Sequence, residues 1–278
     1  MSTSVFSEIL TGIYENKVVP YLGSGVLFDA TNTITGEGMP ATSDSLILAM
    51  NNGKPMAPKL MYEFPRAAMN LELKRGRNFL GQFLTKLYGE TEWTRSAVHN
   101  WLAVWKPHYI VDINRDTQLQ DSYKDEEHTL IVGLARLSAN QFRFKIYHFD
   151  GSAYVEIVQE HVDTKLPILF KPMGTPKPEA NFIASDADYV DYITELMGGF
   201  AIPDFLKKLR QGKQYLLIGM PLNRDSERMV MSDIVYGAAE KKGWVLNKNP
   251  TDKERRFCKK IGLEIIDADI EELLAAVN

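Results

Sequence analysis

The sequence predicts an α/β fold: a mostly parallel sheet with helices on both faces, carrying a small irregular and helical lobe and a β-hairpin insertion. Three observations lead there. Short apolar runs such as Val18 to Leu22 and Tyr215 to Ile218 stop abruptly at glycine, as strands buried on both faces do. Segments with helical apolar spacing separate these runs, the alternation that lays helices on a parallel sheet. One Asp-Gly pair, Asp150-Gly151, sits between two β-like runs and signals a hairpin.

Each element follows in turn. Phe6, Ile9, Leu10, Ile13 and Tyr14 recur at helical spacing, which predicts a helix over residues 4–16. Val18 to Leu22 is a strand ending at Gly23-Ser24-Gly25. Residues 29–58 are rich in Gly, Pro, Ser, Thr and Asn and read as irregular; residues 60–105 are mostly helical in pattern, so 29–105 forms the lobe. A strand over His108 to Ile113 leads to Asn114-Arg115-Asp116. The hairpin occupies 142–158. Leu166 to Phe170 is a further strand, 186–211 is helical, and Tyr215 to Ile218 is a strand ending at Gly219. Trp244 to Leu246 and Leu263 to Ile266 complete the strands, and a helix closes the chain at 269–277. The whole, 1–278, is expected to be one domain.

Composition narrows the function classes. A net charge of −4 gives no electrostatic footprint for nucleic acid. No apolar run approaches membrane-spanning length, and Met1 to Leu10 lacks the pattern of a secretory signal, so a cytoplasmic protein is expected. The single cysteine, Cys258, excludes an intrachain disulfide and any zinc site needing two thiolates. The five histidines show no paired metal-ligand spacing, and no metal site is expected.

Ligands of parallel α/β sheets bind beyond the carboxyl ends of the strands, and the candidate site residues fall there. Gly23-Ser24-Gly25 opens a turn whose backbone N–H groups could face a diphosphate, although Phe28 stands where a GxGxxG fingerprint has its third glycine; a plain tight turn is the competing reading. Asp112, Asn114 and Asp116 alternate at the end of a strand. A calcium loop is excluded, because Thr117 replaces the required glycine and Tyr123 the bidentate acid. They project into a cleft or form an Asx turn.

Taken in order, these motifs resemble the sirtuin superfamily, in particular the short zinc-less sirtuin-like domains of bacterial defence and NAD-degrading proteins. The resemblance runs through Val18 to Val26, Gly38-Met39-Pro40, Asn114-Arg115-Asp116, Phe170-Lys171-Pro172-Met173-Gly174, Ser185 to Tyr189, Tyr215 to Gly219, Asp225 with Arg228, and Trp244 to Asn247. It implies a Rossmann-like sheet, NAD or an ADP-ribose-like nucleotide as ligand, and cleavage of the nicotinamide–ribose bond. Carried onto this chain, the ligand would meet Gly23, Ser24, Gly25, Val26, Pro40, Asn114, Asp116, Met173, Gly174, Gly219, Met220 and Asn247, with Asn114, Asp112 and Asp116 as the catalytic candidates.

Two departures matter. One cysteine cannot build the four-cysteine ribbon of the deacylating sirtuins, which makes a protein deacylase a poor reading. Met173 stands where the family carries its catalytic histidine, and a thioether takes no proton; general-base help is typically worth about 10²–10⁴-fold in rate. The leading expectation is therefore a nucleotide-binding protein with weak or absent NAD cleavage. An active NAD glycohydrolase is the alternative, either with Asn114 orienting water or ribose and Asp112 or Asp116 supplying charge without a histidine, or with a base donated from elsewhere such as His148 or His161. A nucleotide-free interaction module using the aromatic hairpin, Phe142 to Tyr154, is the third reading. Any regulator would be a separate protein or self-assembly into a homo-oligomer.

Overall fold

Alternate residues of the central strands feed two separate apolar layers. In β1 (Val18–Leu22), Val18 and Leu22 enter one layer while Val19 and Tyr21 enter the other. Such a strand is buried on both faces, which is why its sequence is a continuous apolar run. The computed structural model describes residues 2–138 and 141–277.

Before β1 lies α1 (Ser2–Tyr14). After it come α2 (Ser43–Met50), α3 (Pro58–Met61), α4 (Phe64–Arg75), α5 (Arg77–Thr85) and α6 (Ala97–Trp105), which form the helical lobe and the return to β2 (Tyr109–Asp112). Then follow α7 (Gln118–Ser122), β3 (His128–Gly133), β4 (Phe144–Phe149), β5 (Tyr154–Ile157), β6 (Ile168–Lys171), β7 (Gly174–Thr175) and β8 (Asn181–Phe182). The chain closes with α8 (Asp186–Gly198), α9 (Asp204–Leu209), β9 (Gln214–Ile218), α10 (Asp225–Val235), β10 (Gly243–Leu246), α11 (Asp252–Ile261), β11 (Leu263–Ile266) and α12 (Ile270–Val277).

The nine-stranded sheet has the order β11-β10-β9-β1-β2-β6-β3-β4-β5. The seven strands from β11 to β3 are parallel; β4 is antiparallel to β3, and β5 to β4. One face packs against residues of α1, α2, α4, α6 and α12, the other against α8, α9, α10 and α11. This is the expected Rossmann-like architecture. No helix among the described residues is long and apolar enough to cross a membrane.

Three local differences have physical causes. His128–Gly133 received no strand from the sequence, yet it is the fully buried β3. It joins the hairpin to the parallel strands, so β4 and β5 extend the main sheet and β5 is its free edge. Within the irregular 29–58 stretch, Thr42 caps a real helix, α2, its hydroxyl accepting from the Ser45 N–H. The helical stretch 186–211 is two helices: α8 stops at Gly199, whose φ of 83° is left-handed, and Pro203 precedes α9.

β1 lies where the strand order reverses. The chain crosses from β1 to β2 on one side and later returns to place β9 on the other. The carboxyl ends of β1, β2 and β9 therefore diverge into the crevice where doubly wound sheets bind ligands.

Candidate functional site

At that crevice, Ser24 after β1, Ile113 to Arg115 after β2, and Arg224, Ser226 and Glu227 around the start of α10 meet Ser43, Leu46, Glu63 and Phe64 of the helical lobe. The space they enclose is small, about 30 Å³, room for one or two waters.

Asn114 is fixed from below. Its Nδ2 donates to the Gly23 carbonyl at 3.1 Å and to Asp112 Oδ1 at 2.8 Å. Both partners are pure acceptors, so the amide nitrogen must face them. The amide oxygen, with no protein donor among the described residues, is left as an acceptor for the cleft. Asp112 also accepts from the Asn114 N–H at 2.9 Å, and its Oδ2 takes a 2.7 Å bond from the Lys171 ammonium. Lys171 and Asp112 are both 0% exposed. Asp112 thus holds Asn114 in place and has its charge compensated by Lys171; it does not line the cleft.

Asp116 is buried beside it. Its Oδ1 accepts from the Gln118 N–H at 2.8 Å, while Oδ2 has no hydrogen-bond partner. Burial raises its carboxyl above the usual range, partly opposed by Lys171. His99, Asp112 and Asp116 offer ligand-type atoms within 4.8 Å of one another, a grouping that sequence spacing did not reveal. Burial depresses the His99 imidazole, keeping it neutral, and its Nδ1 shares a 2.8 Å bond with the Ser96 hydroxyl. With both Asp112 oxygens already serving three donors, one of them an ammonium, this trio is a buried polar brace beneath Asn114.

Arg115 was passed over in the sequence and is the most distinctive cation of the cleft. Only 8% exposed, it packs 5.4 Å over the Phe64 ring. Its Nε and one terminal nitrogen donate to the Ile183 carbonyl at 2.9 and 2.6 Å, and that nitrogen also reaches the Tyr189 hydroxyl at 3.0 Å. No carboxylate forms an ion pair with it among the described residues. A buried guanidinium held by neutral groups is a ready receptor for an anion.

Glu227, in the first turn of α10, was also missed. The residue keeps partial exposure, but its Oε2 is closed to solvent and has no hydrogen-bond partner. Burial pushes the carboxyl up to about 7 against the pull of Arg115 and Arg224, with Glu63 adding to the rise. The neighbouring Asp225 and Arg228, singled out in the sequence, pair with each other on the surface instead.

The remaining expected residues stand around the cleft without lining it. Gly23 and Gly25 do not offer free N–H groups: these already donate to the Ile218 and Gly219 carbonyls at 2.9 and 2.8 Å. The glycines permit close backbone approach, since a Cβ on Gly23 would lie 2.5 Å from both Gly219 O and Met220 Cα. Gly219 itself has φ +64°. The Val26 N–H turns back to the Gly23 carbonyl at 3.2 Å. Pro40 adjoins the lining residue Ala41 and accepts from the Tyr88 hydroxyl at 2.7 Å. Met173 and Met220 are buried in the apolar layer that contains Ile113 and Tyr189. Gly174 turns into the β7–β8 hairpin. Asn247 follows β10, tied through its N–H to Ile266 at 3.1 Å. His148 on β4 and exposed His161 lie toward the far edge of the sheet, so neither reaches Asn114.

A parallel sheet with a polar crevice at its switch point is the arrangement in which doubly wound α/β proteins bind ligands. Residues 108–266, more than half the chain, match the SIR2-like domain family, and the protein belongs to that sirtuin-like family. In coarse outline this gives it a sirtuin-like, NAD-related function. No curated protein matches the chain.

Proposed function

We propose that this protein binds NAD or a related ADP-ribosyl nucleotide in the Arg115 cleft, and that cleavage of the nicotinamide–ribose bond is weak or absent because the family's histidine is Met173. The observation that carries the reading is the buried Arg115 guanidinium without a carboxylate partner at the sheet's switch point. A diphosphate supplies the missing negative charge, with Arg224 as a second cation and the Ser24, Ser43 and Ser226 side chains as hydroxyl donors. The outward oxygen of Asn114 suits a ribose hydroxyl. The donor set fits such a ligand, whereas about 30 Å³ of enclosed space does not hold one. Binding on this reading parts the helical lobe from α10.

The test is ligand-dependent stability. At 100 times its dissociation constant, a ligand that binds only the folded state adds about 2.7 kcal/mol. ADP-ribose and NAD are expected to raise the melting temperature, adenosine to do so far less, and Arg115→Lys to lose most of the effect. Equal shifts with phosphate-free adenosine, or none with ADP-ribose, would refute the reading.

A further inference from the structure

We propose that Glu227 is the proton acceptor for whatever NAD hydrolysis this protein performs, standing in for the absent histidine from a different element of the fold. The inference rests on the nucleotide reading above and adds the group that would act there.

Four features support it. Glu227 and Asn114 line the same small cleft at the carboxyl end of the sheet. Glu227 Oε2 has no hydrogen-bond partner among the described residues, so no donor of the protein holds that oxygen. Asn114 presents its oxygen there because its nitrogen is committed to Gly23 and Asp112. The other candidate bases are out of place: His148 and His161 lie toward the far edge of the sheet, Asp112 is spent on Lys171, and Asp116 does not line the cleft.

In the step, a water oxygen forms a bond to the ribose anomeric carbon as the bond from that carbon to nicotinamide breaks. The bonding pair leaves with the nicotinamide nitrogen and neutralises its positive charge. Glu227 takes the proton from the attacking water and later releases it to solvent. Water is the only co-reactant, and the products are nicotinamide, ADP-ribose and one proton.

The environment of Glu227 suits a base working near neutrality. Arg115 faces it from the loop after β2, Arg224 from the turn before α10, Glu63 from the start of α4, and Tyr21 and Tyr189 from β1 and α8. Burial outweighs both cations, so the carboxyl ionises at about 7, close to the value at which a general base is most effective.

The experiment follows nicotinamide release from NAD by the full chain and by Glu227→Gln between pH 5 and 9, with ADP-ribose binding and melting temperature measured on the same samples. The wild-type kcat/KM, which reports the free enzyme, is expected to rise with pH to a plateau above about 7. Glu227→Gln is expected to bind ADP-ribose within a few-fold of wild type, and to lose roughly 10²-fold or more of the rate together with its pH dependence. A readout independent of turnover is stability. A carboxyl whose folded value lies above its unfolded one contributes stability that is complete below the unfolded value. That contribution is lost as pH rises through about 7. The wild type should therefore lose melting temperature across that window relative to Glu227→Gln. A Glu227→Gln rate within a few-fold of wild type overturns the proposal, as do parallel stability profiles. ADP-ribose binding with no nicotinamide release above the uncatalysed background overturns it while leaving the binding reading intact. No ADP-ribose binding at all removes both.

Discussion

Replacing Lys171 with Met tests whether Asn114 is held by a buried charge pair. The pair is 2.7 Å apart and inaccessible on both sides. With an effective dielectric of about 20, attraction at that distance is on the order of 6 kcal/mol, comparable to the cost of desolvating the two ions. The net worth of the pair is therefore small, but breaking it is expensive. Lys171→Met leaves the Asp112 carboxylate buried with no cation, a change that typically costs about 3–5 kcal/mol. Two N–H donors from Asn114 still serve that carboxylate, which puts the expectation near the lower end, about 3 kcal/mol. Adding Asp112→Asn removes the charge and keeps an oxygen for the Asn114 N–H groups, so the double variant should recover to within about 1 kcal/mol of wild type. Urea unfolding of wild type, both single variants and the double variant gives the coupling energy directly. A Lys171→Met cost below about 1 kcal/mol, or a double variant no more stable than Lys171→Met, would refute the reasoning. If Lys171→Met does not fold, recovery of folded protein in the double variant carries the same information.

Three further substitutions probe the surroundings. Gly23→Ala drives a methyl group into the Gly219 carbonyl and Met220 Cα, neither of which can rotate away; a loss of about 1–3 kcal/mol is expected in denaturant titration. Gly219→Ala should cost about 1–2 kcal/mol more than that from its left-handed backbone, and a smaller loss than Gly23→Ala would contradict this. Met173→His places an imidazole in an apolar layer where Met173 is 2% exposed. It should lower stability by about 1–3 kcal/mol and yield no gain in nicotinamide release; a gain would mean that position 173 reaches the ligand.

The sheet was legible because buried parallel strands write themselves as apolar runs, and glycine or polar residues mark their carboxyl ends. β1, β2, β6 and β9 were found that way, and Asn114 with them. β3 escaped because His128 and Thr129, both polar, occupy the start of a strand buried along its whole length. Arg115 escaped for a different reason. Between Asn114 and Asp116 an arginine reads as solvated; its burial comes from Phe64 and Ile183, brought in from distant segments. Glu227 lies in the polar run Asp225-Ser226-Glu227-Arg228, the ordinary signature of an exposed helix start. Its displaced ionisation comes from burial and from Arg115, Arg224 and Glu63, a set drawn from three separate segments of the chain.

The closed cleft has two visible fastenings. Asp44 at the start of α2 lies 3.6 Å from Arg224, and Glu63 accepts at 2.9 Å from the Asp225 N–H. Each ties the lobe to the first turn of α10. If the cleft takes a nucleotide as proposed, a ligand too large for the closed cleft must wait for these to release, and capture is a gated event. Its observed rate should level off with concentration at the rate of opening, and the measured affinity is the intrinsic one scaled by the fraction of open molecules. Asp44→Ala weakens one fastening; because Asp44 is exposed and its 3.6 Å contact with Arg224 is long, the pair is worth at most about 1 kcal/mol, and the change should tighten apparent binding by no more than roughly fivefold. The gain appears as faster entry, so on the proposed reading the helical lobe sets the tempo of nucleotide entry.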